Sequence, residues 1–335
     1  MIDPEVLAIF GISTEVIAKA LGDLYLETMK EAIKEKGQDL VSWLKKNEKS
    51  SRDIQNASKK YVKNYADRHC HIKIFGMNEP FSLESIYTAV SFLGDKEIHH
   101  FATTEGLEEM FRTQGQRRLQ GSRKTVDGLS LVNEKTYLMV LGQPGAGKST
   151  FLRRIGMEAL KGKNGQYKHQ VFPVLLELRR YSNGQLDLIN SITEELAICG
   201  FPEEIEATRS LLEKGRLLLL LDGLDEVPGK YHDVIIDHIE DFIDQHKNNR
   251  FIVSCRTAAY RSKFRRFTDV LMADFDNDQI HDFIEKWFSQ PRDREMDTAN
   301  RCWKDLNKSS NASAKELAQN PLLLTLLCLV YEDGQ

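Results

Sequence analysis

The stretch from Thr136 to Thr150, TYLMVLGQPGAGKST, constrains this chain more than any other. Tyr137 to Leu141 is a short apolar run of strand formers, and the residues after it fit G-x-x-x-x-G-K-[ST] without a mismatch. The spacing predicts a strand, a phosphate-binding loop, and a helix opening at Ser149. Gly142, Gly145 and Gly147 lack the Cβ that would stop successive backbone N–H groups from turning toward an anion. The predicted contact set is Gly142, Gln143, Pro144, Gly145, Ala146, Gly147, Lys148, Ser149 and Thr150. Lys148 is placed to reach the β- and γ-phosphates of a nucleotide and the Ser149 hydroxyl to meet Mg2+. The helix N-terminus adds partial positive charge.

Composition narrows the setting. With 335 residues, 41% hydrophobic and 29% charged, the chain has material for two or three domains with real cores. Its net charge of −4 gives no global case for binding nucleic acid or a membrane. Cys70, Cys199, Cys255, Cys302 and Cys328 are scattered without C-x-x-C spacing, which suits a reducing cytosol. His69-Cys70-His71 lacks the second ligand pair that a zinc site needs. The N-terminus has no basic segment or cleavage site of a secretory signal. The longest apolar runs, Leu217–Leu221 and Leu322–Val330, fall short of the ~20 residues of a membrane span. A cytoplasmic protein without membrane contact is expected.

In chain order, helical spacing runs from Ser13 to about Asn47 and from Ser51 to about Arg68, each with an apolar stripe that must be covered by the chain itself or by a partner. Ile72-Lys73-Ile74 and the alternating Ile86, Thr88, Val90 and Phe92 predict short strands. Residues 115–127 are polar and basic, a connecting segment in which Arg117, Arg118, Arg123 and Lys124 are read as solvated rather than phosphate-binding. Beyond the loop, strands alternate with helices. Each strand is nearly continuous in apolar residues, which predicts an α/β domain with a parallel sheet covered on both faces. From Asp276 only helical pattern follows. The expected domains are 1–114, mainly helical; 115–127, a linker; 128–275, nucleotide-binding; and 276–335, a small helical unit.

Hydrolysis needs more than a phosphate loop. Asp222 closes the Leu217–Leu221 strand, where an acid can hold Mg2+ through its waters. Asp225 and Glu226 follow, and either could orient or deprotonate an attacking water; an exposed acidic turn is the plain alternative. Arg256 ends the next strand. A permanent guanidinium there can sense a terminal phosphate, or pair with Asp225 or Glu226, and the two roles are compatible. Arg261, Lys263, Arg265 and Arg266 interleave with Phe264 and Phe267, which reads as a solvated loop anchored by its aromatics rather than a nucleic-acid patch.

GQPGAGKST, LLLLLDGLDE, SCRTAAY, FTDVLMADFDNDQI with FIEKWF, and NPLLLTLLCLVY together resemble the NACHT family of signal-transducing (STAND) P-loop NTPases, bacterial type, in family order. The resemblance implies that Asp222 assists Mg2+, that Asp225 and Glu226 serve the water, that Arg256 is the sensor arginine and that Pro321 lies near the adenine. It implies an ATP/ADP switch that self-associates on activation and works with an effector or sensor partner through its N-terminal helical domain, in bacterial antiviral or stress signalling. The family continues into a winged helix and a sensor, so this chain reads as the first part of such a protein. The alternative is an AAA+-like ATPase acting on nucleic acid or protein.

Overall fold

A run of five leucines leans intrinsically toward helix, yet Leu217–Asp222 is a strand. The reason is tertiary. Leu217, Leu219 and Leu221 pack into one core cluster while Leu218 and Leu220 pack into another. Alternate side chains thus fill opposite faces of a sheet buried on both sides. The same division separates Met139 and Leu141 from Leu138 and Val140 in the strand Tyr137–Gly142.

The computed structural model describes residues 14–35, 51–73, 77, 80–93, 125–162, 165–181, 184–201, 204–260 and 264–333. The chain forms α1 (Thr14–Glu35), α2 (Ser51–His69), β1 (His71–Ile72), β2 (Phe81–Ser82), the short α3 (Leu83–Ile86), β3 (Ser91–Leu93) and β4 (Thr125–Asp127). Then come α4 (Gly128–Glu134), β5 (Tyr137–Gly142), α5 (Lys148–Leu160), β6 (Phe172–Glu177), α6 (Leu188–Ile198), α7 (Ile205–Glu213) and β7 (Leu217–Asp222). The rest is α8 (His232–Gln245), β8 (Arg250–Arg256), β9 (Thr268–Met272), α9 (Asn277–Trp287), α10 (Pro291–Glu295), α11 (Thr298–Leu306), α12 (Ala312–Leu317) and α13 (Pro321–Asp333). Residues 36–47, Ile74, Arg117, Arg118, Arg123, Lys124, Arg261 and Lys263, on which sequence expectations fall, lie outside the described residues.

β1 and β2 pair in a ribbon of their own, and seven strands form one sheet in the order β4-β3-β9-β5-β8-β7-β6. It is parallel from β9 to β6 and antiparallel where β3 meets β9 and β4. One face carries α6, α7 and α8 together with the N-terminal pair α1 and α2, through residues such as Ile192, Leu211, Ile239, Met29 and Tyr65. The other carries α4, α5 and the C-terminal helices, through Val132, Phe151, Leu152, Phe283 and Leu324. The α/β sheet covered by helices on both faces, expected from the sequence, is what the chain builds. No helix among the described residues is long and apolar enough to cross a membrane.

Two edges needed closing. Edge strand β6 holds Pro173, which has no N–H to offer a ladder. Its carbonyl accepts the Tyr61 hydroxyl of α2, whose ring meets Phe172 edge-on at 5.8 Å and Phe201 at 5.1 Å. Nearby, Arg68 of α2 forks onto the buried Glu195 of α6, with one contact at 3.2 Å. Burial of that carboxylate is tolerable because the guanidinium satisfies both of its oxygens.

At the opposite edge the sequence misleads. The alternation over Ile86–Phe92 predicts a strand, but Leu83–Ile86 is a helical turn and only Ser91–Leu93 joins the sheet. The intervening segment is claimed by α9 instead. Lys286 Nζ donates to Tyr87 O at 2.7 Å, Thr88 Oγ1 to Asp282 at 2.8 Å and Gln279 Nε2 to Ala89 O at 2.6 Å. Carbonyls bonded to side chains in this way are lost to a strand ladder. Thr125–Asp127, within the polar connecting segment, pairs with β3 as the outermost strand.

The C-terminal helices open with Asp276, whose carboxylate accepts Gln279 N at 2.9 Å while Gln279 Oε1 accepts Asp276 N at 2.9 Å. This reciprocal capping box explains the sharp start of α9. α10 opens with Pro291, whose missing N–H costs nothing in the first turn of a helix.

Candidate functional site

The carboxyl ends of β5, β8 and β7 gather the residues singled out in the sequence. β5 ends at Gly142, in register with Arg256 of β8, and β7 ends at Asp222, in register with Glu177 of β6. Between β5 and α5 the loop turns through Gly145 at φ +78° and Gly147 at φ +93°, backbone states that L side chains rarely adopt. A Cβ on Gly147 would meet nothing within 4 Å, so the space before the loop is open. Phe151 N donates to Gly147 O at 2.8 Å and starts the helix, with Lys148, Ser149 and Thr150 in its first turn.

Lys148 folds back over the loop, its Nζ 3.0 Å from Gly142 O and 3.1 Å from Gln143 O. Burial holds its ammonium below the ordinary lysine range, and Arg256 adds to this, while Asp225 and Asp222 act in the opposite direction. A cation whose hydrogen bonds among the described residues go only to carbonyls, with its charge imperfectly compensated, fits an anion at the loop mouth.

The acidic residues divide into two arrangements. Asp222 Oδ1 accepts the hydroxyl of Ser254, and Ser254 Oγ accepts Gly223 N at 2.8 Å. Ser254 thereby fixes both the metal-candidate carboxylate and the turn that follows it. Asp225, with a side chain only 7% exposed, is engaged through both oxygens: Oδ1 accepts Arg256 N at 2.8 Å and Oδ2 lies 2.9 Å from Arg256 Nε. Arg256 is 51% exposed on its other side. The pairing weighed in the sequence is therefore formed, with Asp225 as partner. Glu226 is exposed, on the short turn Leu224–Glu226 whose Glu226 N donates to Gly223 O at 3.0 Å.

The residues present fit a nucleotide with Mg2+. The Ser149 hydroxyl and the Asp222 carboxylate are hard oxygen donors. Among the described residues no three His, Cys, Asp or Glu side chains converge into an all-protein cage. One hydroxyl and one carboxylate, completed by phosphate oxygens and waters, is the coordination that Mg2+ favours. Cys255, beside Asp225, is a buried thiol pushed up to about 12 by burial and by that carboxylate, so it is no nucleophile.

Three residues at this edge escaped the sequence reading. Ser254 is one. Arg179, in the turn after β6, is a second: it donates to Glu177 Oε2 at 2.7 and 3.1 Å, and its turn packs against the one bearing Asp225 and Glu226. Burial alone would raise the Glu177 carboxyl, but the hydrogen bonds and charge of Arg179, with Arg180 and Arg153, hold it below the usual carboxylate range. Only an arginine two residues beyond an apolar strand could have hinted at this. The third is Asn320, whose Nδ2 donates to Pro144 O at 3.0 Å. It immediately precedes Pro321, which opens α13 against the loop. Elsewhere, Arg265 lies 3.5 Å from Glu240 and Arg266 2.6 Å from Asp244, and Phe264 is buried beneath them. His69 packs on Tyr65 with the rings tilted at 58° and their centroids 4.5 Å apart, while His71 Nδ1 lies 3.1 Å from Cys70 Sγ, so the two histidines serve different neighbours.

A phosphate loop at the end of a central strand, an acid closing a second parallel strand and helices on both faces define a P-loop nucleotide-binding NTPase. More narrowly, residues 136–291 match the model of the NACHT domain. A match to that domain implies nucleotide hydrolysis. No curated protein matches the chain. Among solved structures it is similar to PCH-2 of Caenorhabditis elegans, with 10% identity over 72% of this chain and 74% of that one, at a TM-score of 0.37. It is also similar to domain III of the replication initiation protein DnaA of Thermotoga maritima, with 15% identity over 71% and 88% and a TM-score of 0.37. A third is a STAND protein with a tetratricopeptide repeat sensor from Pyrococcus horikoshii, with 11% identity over 60% and 28% and a TM-score of 0.33. At such identities and scores nothing about substrate or assembly passes from those proteins to this chain.

Proposed function

We propose that the chain is a slow ATP/ADP switch whose bound nucleotide sets its conformation and its assembly. The observation that carries this reading is the Asp225–Arg256 pair. An acid suited to attend the attacking water and a guanidinium suited to sense the terminal phosphate are engaged with one another, through a backbone and a side-chain contact of 2.8 and 2.9 Å. A γ-phosphate must compete with Asp225 for Arg256, and breaking that bond frees the carboxylate. Hydrolysis is thus tied to a rearrangement, which suits a switch better than a fast motor.

In this reading the backbone N–H groups of Gly142 to Thr150 and Lys148 hold the phosphates, and Ser149 and Asp222 hold Mg2+, which neutralises phosphate charge when bound. Glu226 and Asp225 orient the water and take its proton, and Pro321 flanks the base. Residues 128–275 form the nucleotide domain and 276–335 the helical unit that follows it. Residues 1–114, joined through 115–127, serve an effector or self-association. On the family resemblance, the setting is bacterial antiviral or stress signalling.

Protein purified without added nucleotide should retain ADP. Lys148→Ala should abolish binding, and Glu226→Gln should keep binding while losing turnover. Unchanged ATP affinity in a folded Lys148→Ala variant refutes the nucleotide reading. Strong stimulation of turnover by DNA, RNA or unfolded protein points to a motor instead.

A further inference from the structure

The backbone of a phosphate loop has two sides. If its N–H groups turn inward to an anion, the carbonyls of the same peptides turn outward and need donors of their own. Those donors come from the start of α13. Asn320 Nδ2 donates to Pro144 O at 3.0 Å, and Leu322 N donates to Gly145 O at 3.2 Å. The surfaces are pressed together: a Cβ on Gly145 would lie 2.7 Å from Asn320 Oδ1 and 2.8 Å from Leu322 Cβ.

Asn320 is itself held from several directions. Its Oδ1 accepts Leu322 N at 3.1 Å and Leu323 N at 3.3 Å, so it also caps α13. The residue before it is tied to the exit of the sheet, where Phe275 N donates to Gln319 O at 2.9 Å. One carboxamide therefore joins the outer face of the phosphate loop to the first turn of the last helix, with both ends of its dipole in use.

We propose that Asn320 is a positioning residue for nucleotide binding: it fixes the outward set of the Pro144 and Gly145 carbonyls, and thereby the inward set of the loop amides. The same contact couples phosphate occupancy to the seating of α13. Coupling of this kind is reciprocal. A phosphate that orders the loop strengthens the seat of the helix, and a helix pulled from the loop weakens the hold on phosphate. The proposal rests on the nucleotide reading of the loop.

The competing role is that of a helix cap alone, and substitution separates the two. Asn320→Ser keeps a good capping oxygen but is too short to reach Pro144 O. It should bind ADP about fivefold more weakly, the worth of one net hydrogen bond, at an unchanged melting temperature. Asn320→Asp also caps, but it replaces the donor with a carboxylate facing a carbonyl, and should lose at least as much affinity. Asn320→Ala should lose affinity and melting temperature together.

The experiment is ADP titration of the full chain by calorimetry, beside thermal melts and hydrogen exchange at residues 142–148 and 321–325. Faster exchange in both segments of the serine variant is expected. Wild-type affinity at wild-type melting temperature in Asn320→Ser leaves Asn320 a cap and overturns the proposal. Should the serine variant melt markedly lower, Asn320→Asp decides in the same way: weaker affinity supports the clamp, and wild-type affinity refutes it. If the unaltered chain binds ADP no better than Lys148→Ala does, the nucleotide reading itself falls. Tight binding that Asn320→Ser leaves untouched sinks this inference alone.

Discussion

α2 meets the phosphate-loop helix at a notch over Gly156, which permits a quantitative test. Tyr65 of α2 is fully buried, and its hydroxyl has no hydrogen-bond partner among the described residues. It rests over Gly156 of α5, where a Cβ would lie 2.1 Å from the Tyr65 oxygen and 3.1 Å from Leu220 Cδ1. Gly156→Ala gains about 1 kcal/mol of helix propensity but forces overpacking worth about 1–3 kcal/mol, for a net loss of about 1 kcal/mol. Tyr65→Phe removes a buried, unpaired hydroxyl and should gain about 1 kcal/mol. In the double variant the 2.1 Å contact is gone, but ring carbon Cζ of residue 65 and Leu220 Cδ1 still crowd the new Cβ at 3.1 Å and cancel most of the propensity gain, so the chain should be about 1 kcal/mol more stable than the parent. Simple addition of the two single effects gives about zero, so the coupling is about 1 kcal/mol. Urea unfolding of the four proteins, with an unchanged dependence on urea concentration, measures it. Effects that add to within a few tenths of a kcal/mol would show that Tyr65 does not seat on Gly156.

Ser254→Ala should leave ADP affinity near that of the parent while raising the Mg2+ concentration for half-maximal turnover about tenfold, since it removes the group that orients Asp222; an unchanged Mg2+ dependence would count against that role. Nucleotide affinity should fall at high pH. Binding needs the Lys148 ammonium, whose pKa in the free protein lies below the ordinary 10.5, so affinity is full below that lowered value and declines as pH rises through it. A fluorescent-nucleotide titration from pH 7 to pH 10 checks the sign, and affinity that rises with pH refutes it.

Sequence legibility followed locality. The phosphate loop is contiguous and its chemistry is backbone chemistry, so GQPGAGKST specified it without tertiary information. Asp222 and Arg256 were readable because each ends an apolar strand, and parallel strands deliver their ends to one edge. What resisted reading depends on partners far away in the chain. Asn320 could be taken for a helix cap, but that its other end meets Pro144, 176 residues earlier, is a matter of docking. Ser254 lies inside an apolar strand, and its bond to Asp222 follows from strands β7 and β8 being neighbours. The segment after Ile86 alternates like a strand, yet donors on α9 reach its carbonyls first.

The Pro173 edge has a practical bearing on dissection of the molecule. The sheet is finished at both flanks by residues preceding Gly128: α2 caps the β6 side through Tyr61, and β3 with β4 completes the other. A fragment starting at Gly128 would keep every residue of the phosphate loop and acidic turn. It would also bare an aromatic-lined strand at one flank and the unpaired backbone of β9 at the other. Such a piece should associate through its open edges in solution, and self-association by that fragment would report on severed edges rather than on signalling. Assembly assays therefore belong on the whole chain.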